Sequence, residues 1–222
     1  MLKTALCCIL LSLLSIGLID DEINTDELLE QIQTQWQSVS DYCCVIETYT
    51  EKGETKQTST IEQKFLKPKW IRMQVLDGDG KGSIGIYDPF TKKVHGCKTG
   101  ILNFIVLTLD LSDSRVSSIR GHRIDQGDCL TLIGRLQTYH ANGEFTSVER
   151  TTYSGKPAYL FKAEVQDSSR LWGARKEHIW LAEENLFPLR DEQRLGDETI
   201  VHYSRYRDVE INTGLTKKDF EL

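Results

Sequence analysis

Hydrophobic positions along the chain change period several times. Leu28, Leu29, Ile32, Trp36 and Val39 recur every three or four residues, while Glu30, Gln31, Gln33 and Gln37 occupy the opposite side. This predicts one amphipathic helix, opened by Asn24 or Thr25 and ending near Ser40, that must lie on an apolar surface. From Asp41 the period falls to two. Residues 42–50 and 55–66 read as two strands of a hairpin around Glu51-Lys52-Gly53-Glu54. Lys67-Pro68 interrupts the pattern, and then Ile71, Met73 and Val75 alternate with Arg72 and Gln74, one face apolar and the other wet. The Gly-rich stretch 77–82 is a turn, and 83–88 and 92–97 are short strands.

The middle of the chain is different. Residues 101–111 are almost continuously apolar, so periodicity alone does not separate a helix from a buried strand. Asp128 caps a second predicted helix running to about Tyr139 with Leu130, Ile133 and Leu136 in a stripe, and Asn142-Gly143 stops it. Strands resume at 145–153, 159–165, 175–181, 187–194 and 199–208, with turn residues between them. Regular turns of this kind mark an antiparallel meander. The expected class is mostly β (α+β): a curved antiparallel sheet covered by two or three helices.

Composition adds an address. Lys3 followed by the apolar stretch 4–14 and Ser15-Ile16-Gly17 reads as a signal peptide, cut after Gly17, which leaves residues 18–222 as a single domain. The protein is then periplasmic or secreted. The formal net charge is −6 and no basic block stands out, so no nucleic-acid partner is expected. In an oxidising compartment Cys43, Cys44, Cys97 and Cys129 become candidates for disulfide pairing. Their order does not choose among the pairings, and adjacent Cys43 and Cys44 point to opposite faces of a strand.

The chemical motifs are few. Gly80-Lys81-Gly82-Ser83-Ile84-Gly85 has dinucleotide-loop spacing but is followed by a strand and Pro89, not by the helix whose amides would hold a phosphate. Asp77, Asp79 and Asp88 trace a calcium loop only roughly, with Lys81 at a ligand position. His95, His122, His140, His178 and His202 include no helical metal pair, and no nucleophile elbow or phosphate loop occurs. No cofactor or metal is expected, and the reading is of a binding protein rather than an enzyme. A hydrolase would require histidines and carboxylates gathered in one pocket.

The element order resembles the LolA/LolB-type lipoprotein carriers, and within them the uncharacterised branch grouped as a domain of unknown function. The segments carrying the resemblance are Phe65-Leu66-Lys67-Pro68-Lys69-Trp70-Ile71-Arg72-Met73, Ile86-Tyr87-Asp88-Pro89-Phe90, Asn185-Leu186-Phe187-Pro188-Leu189-Arg190, and Asn212-Thr213-Gly214-Leu215 with Asp219-Phe220. The resemblance implies an incomplete β-barrel whose helices lid an apolar cavity for acyl chains. It also implies a role in lipid or lipoprotein transport or envelope sensing, with a lipid, a lipidated protein or an envelope protein as partner. Lys67, where the carriers have Arg, would be the basic residue at the mouth. The expected lining is Ile61, Phe65, Ile71, Met73 and Val75, with Leu29 and Trp36 on the lid helix. The alternative is a protein-interaction domain presenting Trp70, Trp172 and Tyr206.

Overall fold

The structure is a computed structural model describing residues 23–98 and 105–222. The expected signal peptide and the start of the apolar run, residues 101–104, lie outside the described residues. Helix α1 (Thr25–Ser38) begins where Asn24 accepts a hydrogen bond from the Glu27 amide, and it buries Leu28, Leu29, Ile32 and Trp36. Strands β1 (Asp41–Lys52), β2 (Thr55–Leu66), β3 (Trp70–Gly78), β4 (Ser83–Asp88), β5 (Lys93–Lys98) and the short β6 (Leu107–Asp110) form one meander. Helix α2 (Cys129–Ala141) follows, capped by Asp128 through the Thr131 amide at 3.1 Å. A second meander comprises β7 (Phe145–Tyr153), β8 (Lys156–Glu164), β9 (Lys176–Ala182), β10 (Pro188–Arg194) and β11 (Ile200–Ile211).

Pairing of β1 with β11 joins the meanders into one antiparallel sheet of 11 strands, ordered β6-β5-β4-β3-β2-β1-β11-β10-β9-β8-β7. Among the described residues the edges β6 and β7 do not pair, so the sheet is an incomplete barrel with helices α1 and α2 against it. At the start of β6 the chain corrects the expectation of a buried run. Ile105, Val106 and Leu107 are exposed, because the short strand lies at the sheet's edge.

The concave side is filled unevenly. Under α1, Trp36, Tyr42, Phe65 and Phe187 form an aromatic box with ring centroids 5.0–6.0 Å apart, and Trp36 Nε1 donates to the Leu186 carbonyl. Aromatic rings contribute most per residue here because each removes a large apolar area from water. The C-terminal stretch is tied to the same end. Asp41 accepts from the Thr213 amide and hydroxyl at 2.8 Å and from the Gly214 amide. Farther along the sheet α2 reaches the concave face with Leu132 and Arg135. Beside it the irregular segment 111–127 crosses the face and leaves space beneath.

All four cysteines of the described residues are free thiols, so none of the pairings that the sequence allows is formed. Cys44 and Cys129 are buried inside, whereas Cys43 and Cys97 are half-buried. Side-chain alternation along β1 separates Cys43 from its buried neighbour, and burial raises the Cys44 and Cys129 thiols well above their ordinary range.

Candidate functional site

The space beneath the crossing segment is a cavity of about 340 Å³. The first three strands contribute alternate residues, as a pleated sheet requires. β1 presents Ile46, Thr48 and Thr50; β2 presents Gln57, Ser59 and Ile61; β3 presents Met73 and Val75. Ile84, Val94, Leu109, Val116, Ile124 and Leu132 complete the apolar part. Two glycines make room. A Cβ on Gly127 would stand 2.6 Å from the Met73 Cε, and one on Gly85 would stand 3.2 Å from the Ile124 Cδ1.

The segment above is held by directed bonds. Arg120 donates to the carbonyls of Glu51 (3.1 Å) and Trp172 (2.5 Å), and Gln57 accepts from the Ile119 amide. At the base of α2, buried Gln63 donates to the Gly127 carbonyl at 2.8 Å and accepts from the Tyr42 hydroxyl, which itself accepts from the Cys129 amide.

The expected lining residues divide between two places. Ile61, Met73 and Val75 line the cavity. Phe65, Ile71, Leu29 and Trp36 do not: they are buried in the core that α1 forms with the sheet. Lys67 is not at the mouth. Its ammonium donates to the carbonyls of Trp36 (3.1 Å) and Gln37 (2.8 Å), closing the C-terminal end of α1, where a cation suits the exposed carbonyls. Of the residues proposed for protein contact, Tyr206 is buried and Trp172 is half-buried, and both line the cavity. Only Trp70 packs elsewhere, against Phe90 and Phe220.

The wall facing β3 is polar, and the sequence reading did not assemble it. Arg135 of α2 donates through Nε and Nη2 to both oxygens of Glu177 at 3.1 Å, and through Nη2 to Asp191 Oδ2 at 2.9 Å. The Tyr139 hydroxyl and Gln193 Nε2 also donate to Glu177. Burial opposes both charges of the central pair. Arg135 nevertheless stays firmly protonated beside its two carboxyl partners, and Glu177 is held below the usual carboxylate range by Arg135 and the Tyr139 hydroxyl. Asp191 goes the other way. Burial and the neighbouring Glu177 charge push it well above its ordinary value.

Beside them His122 and His202 stack with ring centroids 4.1 Å apart, and Trp172 packs against His122 at the same distance. His122 bonds Ser118 Oγ at 2.9 Å and Gln193 Oε1 at 3.0 Å, and His202 bonds Thr50 Oγ1 at 2.9 Å. Burial pushes His122 down to about 4 and His202 well below its ordinary value, so both rings are neutral. Histidines and a carboxyl group do meet in one pocket, the arrangement that the hydrolase reading required. The carboxyl groups, however, hydrogen-bond Arg135, Tyr139 and Gln193 rather than either imidazole.

These shifts set a pH dependence. In the unfolded chain each imidazole binds its proton near pH ~6.5. Their contribution is therefore complete above that value and lost as pH falls toward about 4 for His122. Asp191, raised on folding, acts in the opposite sense. His122→Gln should therefore remove on the order of 2 kcal/mol of the acid-side loss in unfolding free energy between about pH 7 and pH 4.5, read from urea titrations of both proteins. An identical pH profile in the variant would contradict the burial of that ring.

No protein-family model matches the sequence, and no curated protein matches it. Solved structures do. An uncharacterised conserved protein from Thermus thermophilus superposes with a TM-score of 0.55 at 10% identity, over 89% of this chain and 93% of that one. Lipoprotein LppX from Mycobacterium tuberculosis gives 0.51 at 10% identity, over 86% and 98%. A LolA superfamily protein from Nitrosomonas europaea matches over 90% and 98% with a TM-score of 0.39 at 10% identity. At these identities the likeness is one of fold, an open antiparallel sheet with helices against it. Among the described residues no helix is long and apolar enough to cross a membrane, and no group of histidine, cysteine and acidic residues is placed to hold a metal.

Proposed function

We propose that the protein is an exported binding protein that takes one acyl chain, free or attached to a lipidated protein, into the cavity beneath residues 111–127. The observation that carries this reading is the 340 Å³ space itself, left open along Ile61, Met73 and Val75 while the rest of the concave face is packed. Its size falls in the lower part of the roughly 300–1,000 Å³ range of small-molecule sites, suited to one chain rather than several. Apolar contacts at roughly 25 cal/mol per Å² supply the affinity, less the cost of ordering the chain. The fold shared with LppX, itself a lipoprotein, fits a role in lipid or lipoprotein transport or envelope sensing. Export through cleavage after Gly17 and a single domain over 18–222 belong to the same proposal.

Binding rather than turnover is supported by the placement of the carboxyl groups, which leaves neither imidazole with an acidic partner. The test is direct. Lipid extracted from the natively purified protein should appear by mass spectrometry. Adding a saturating long-chain amphiphile to delipidated protein should also raise its melting temperature by several degrees, as expected from about 2.7 kcal/mol of linkage at 100-fold excess over Kd. No co-purifying lipid and no thermal shift with any chain would reject the cavity reading. Ester hydrolysis that vanishes in Ser118→Ala would reject binding without catalysis.

A further inference from the structure

The cavity has two unlike walls, and the polar one constrains what can be bound. Asp191 is 5% exposed, and its Oδ1 is buried without a hydrogen-bond partner, while its Oδ2 accepts from Arg135. Arg135 therefore takes one carboxyl oxygen of Asp191 and leaves the other without a donor. A buried oxygen left without a donor costs roughly 1–3 kcal/mol, so the site is incomplete as it stands. Gln193, His122, His202 and Ser204 surround the same end of the cavity. Their hydrogen-bonding groups already face one another: Gln193 bonds Glu177 and His122, and His202 bonds Thr50 with Ser204 at 3.4 Å.

The cations on this lining are all engaged. Arg135 is shared between Glu177 and Asp191, Arg115 pairs with Asp113, and Arg123 pairs with Asp125. A carboxylate or phosphate head would enter beside Glu177 and find its cation already engaged. Bringing an uncompensated charge into such a place is costly. An uncharged donor has no such cost and fills the one vacant acceptor.

We propose that the ligand's head is uncharged and donates a hydrogen bond, as a hydroxyl or an amide N–H does, to Asp191 Oδ1, with its hydrocarbon chain running along Ile61, Met73 and Val75. This rests on the cavity reading above and narrows it to one chemical class. It predicts a ranking opposite to that of apolarity, because a head with no donor is more hydrophobic yet leaves Asp191 unsatisfied.

The probes are decanol, decyl methyl ether and decanoate, titrated calorimetrically into delipidated full-length protein at about pH 7.5. Decanol should bind at least about tenfold more tightly than either of the others, the equivalent of one hydrogen bond at about 1.4 kcal/mol. Asp191→Asn, which keeps the shape and an acceptor, should preserve that ranking, and Asp191→Leu should erase it while ether binding persists. If the leucine variant does not fold, the wild-type ranking and the asparagine variant still decide. Ether or decanoate binding as tightly as decanol would overturn the head assignment and leave the cavity reading standing. Failure of all three to bind would remove both.

Discussion

Met73→Asp should abolish uptake of an acyl chain while leaving the sheet folded. Met73 stands in β3 on the cavity side, flanked by alternate positions Ile71, in the core, and Val75, in the lining. Its Cε reaches the space above Gly127, so it lies where the apolar wall meets the crossing segment. Substitution removes an apolar side chain worth roughly 1.5–3 kcal/mol of contact. It also sets a carboxylate against any hydrocarbon placed there, which adds a desolvation cost. The two effects together should weaken binding by about 100-fold or more, since each 1.4 kcal/mol is a factor of ten. The residue is only half-buried, so the carboxylate can stay hydrated in the empty cavity and the effect on stability should be smaller than that on affinity. Titration of decanol into the variant, with circular dichroism as a check on folding, makes the measurement. Undiminished affinity in a folded Met73→Asp protein would show that the chain does not run along β3.

Loss of Arg135 should produce the largest change in stability. Its guanidinium is the only cation bonded to Glu177 among the described residues, and Glu177 is fully buried. Arg135→Met leaves that carboxylate with only neutral donors, among them the Tyr139 hydroxyl and the Gln193 amide. Breaking a buried pair from one side costs about 3–5 kcal/mol, a large share of the roughly 5–15 kcal/mol that holds a domain of this kind together. The cost belongs mainly to the stranded charge rather than to the pair. Adding Glu177→Gln to Arg135→Met should therefore recover a good part of the loss, and a double-mutant cycle in urea measures that coupling directly. Additive losses from the two substitutions would show that Arg135 and Glu177 act separately, contrary to the geometry. The network also fixes the polar wall. Gln193, which bonds His122 through its oxygen, is held through its other end by Glu177, so the charge pair positions the rings above it.

Much of the architecture could be read from local pattern, and the reasons lie in particular residues. Asn24 and Asp128 cap the two helices because a short side-chain oxygen satisfies a free amide within three residues, an interaction encoded by neighbours. The bounds of β4 and β7 follow from alternation and from the turn residues beside them, which are equally local. Alternation also tells which face of β2 and β3 is apolar. It does not tell what covers each part of that face. Phe65 and Met73 follow the same rule in neighbouring strands, yet one is sealed in an aromatic box and the other lines open space. The difference is that α1 reaches the first and residues 111–127 pass over the second.

The polar wall was hidden for the same reason. Arg135, Glu177, Asp191, Gln193, His122 and His202 come from five separate elements and share no spacing. The one hint in the sequence was that acidic Asp191 and polar Gln193 occupy inward positions of β10, where an apolar residue would be ordinary. The amino-acid sequence alone determined the elements and the sides they bury, because capping, turn chemistry and alternation act over a few residues. The tertiary structure decided which part of the buried side stayed hollow and which charges met there, because both depend on how segments far apart in the chain come to lie across one another.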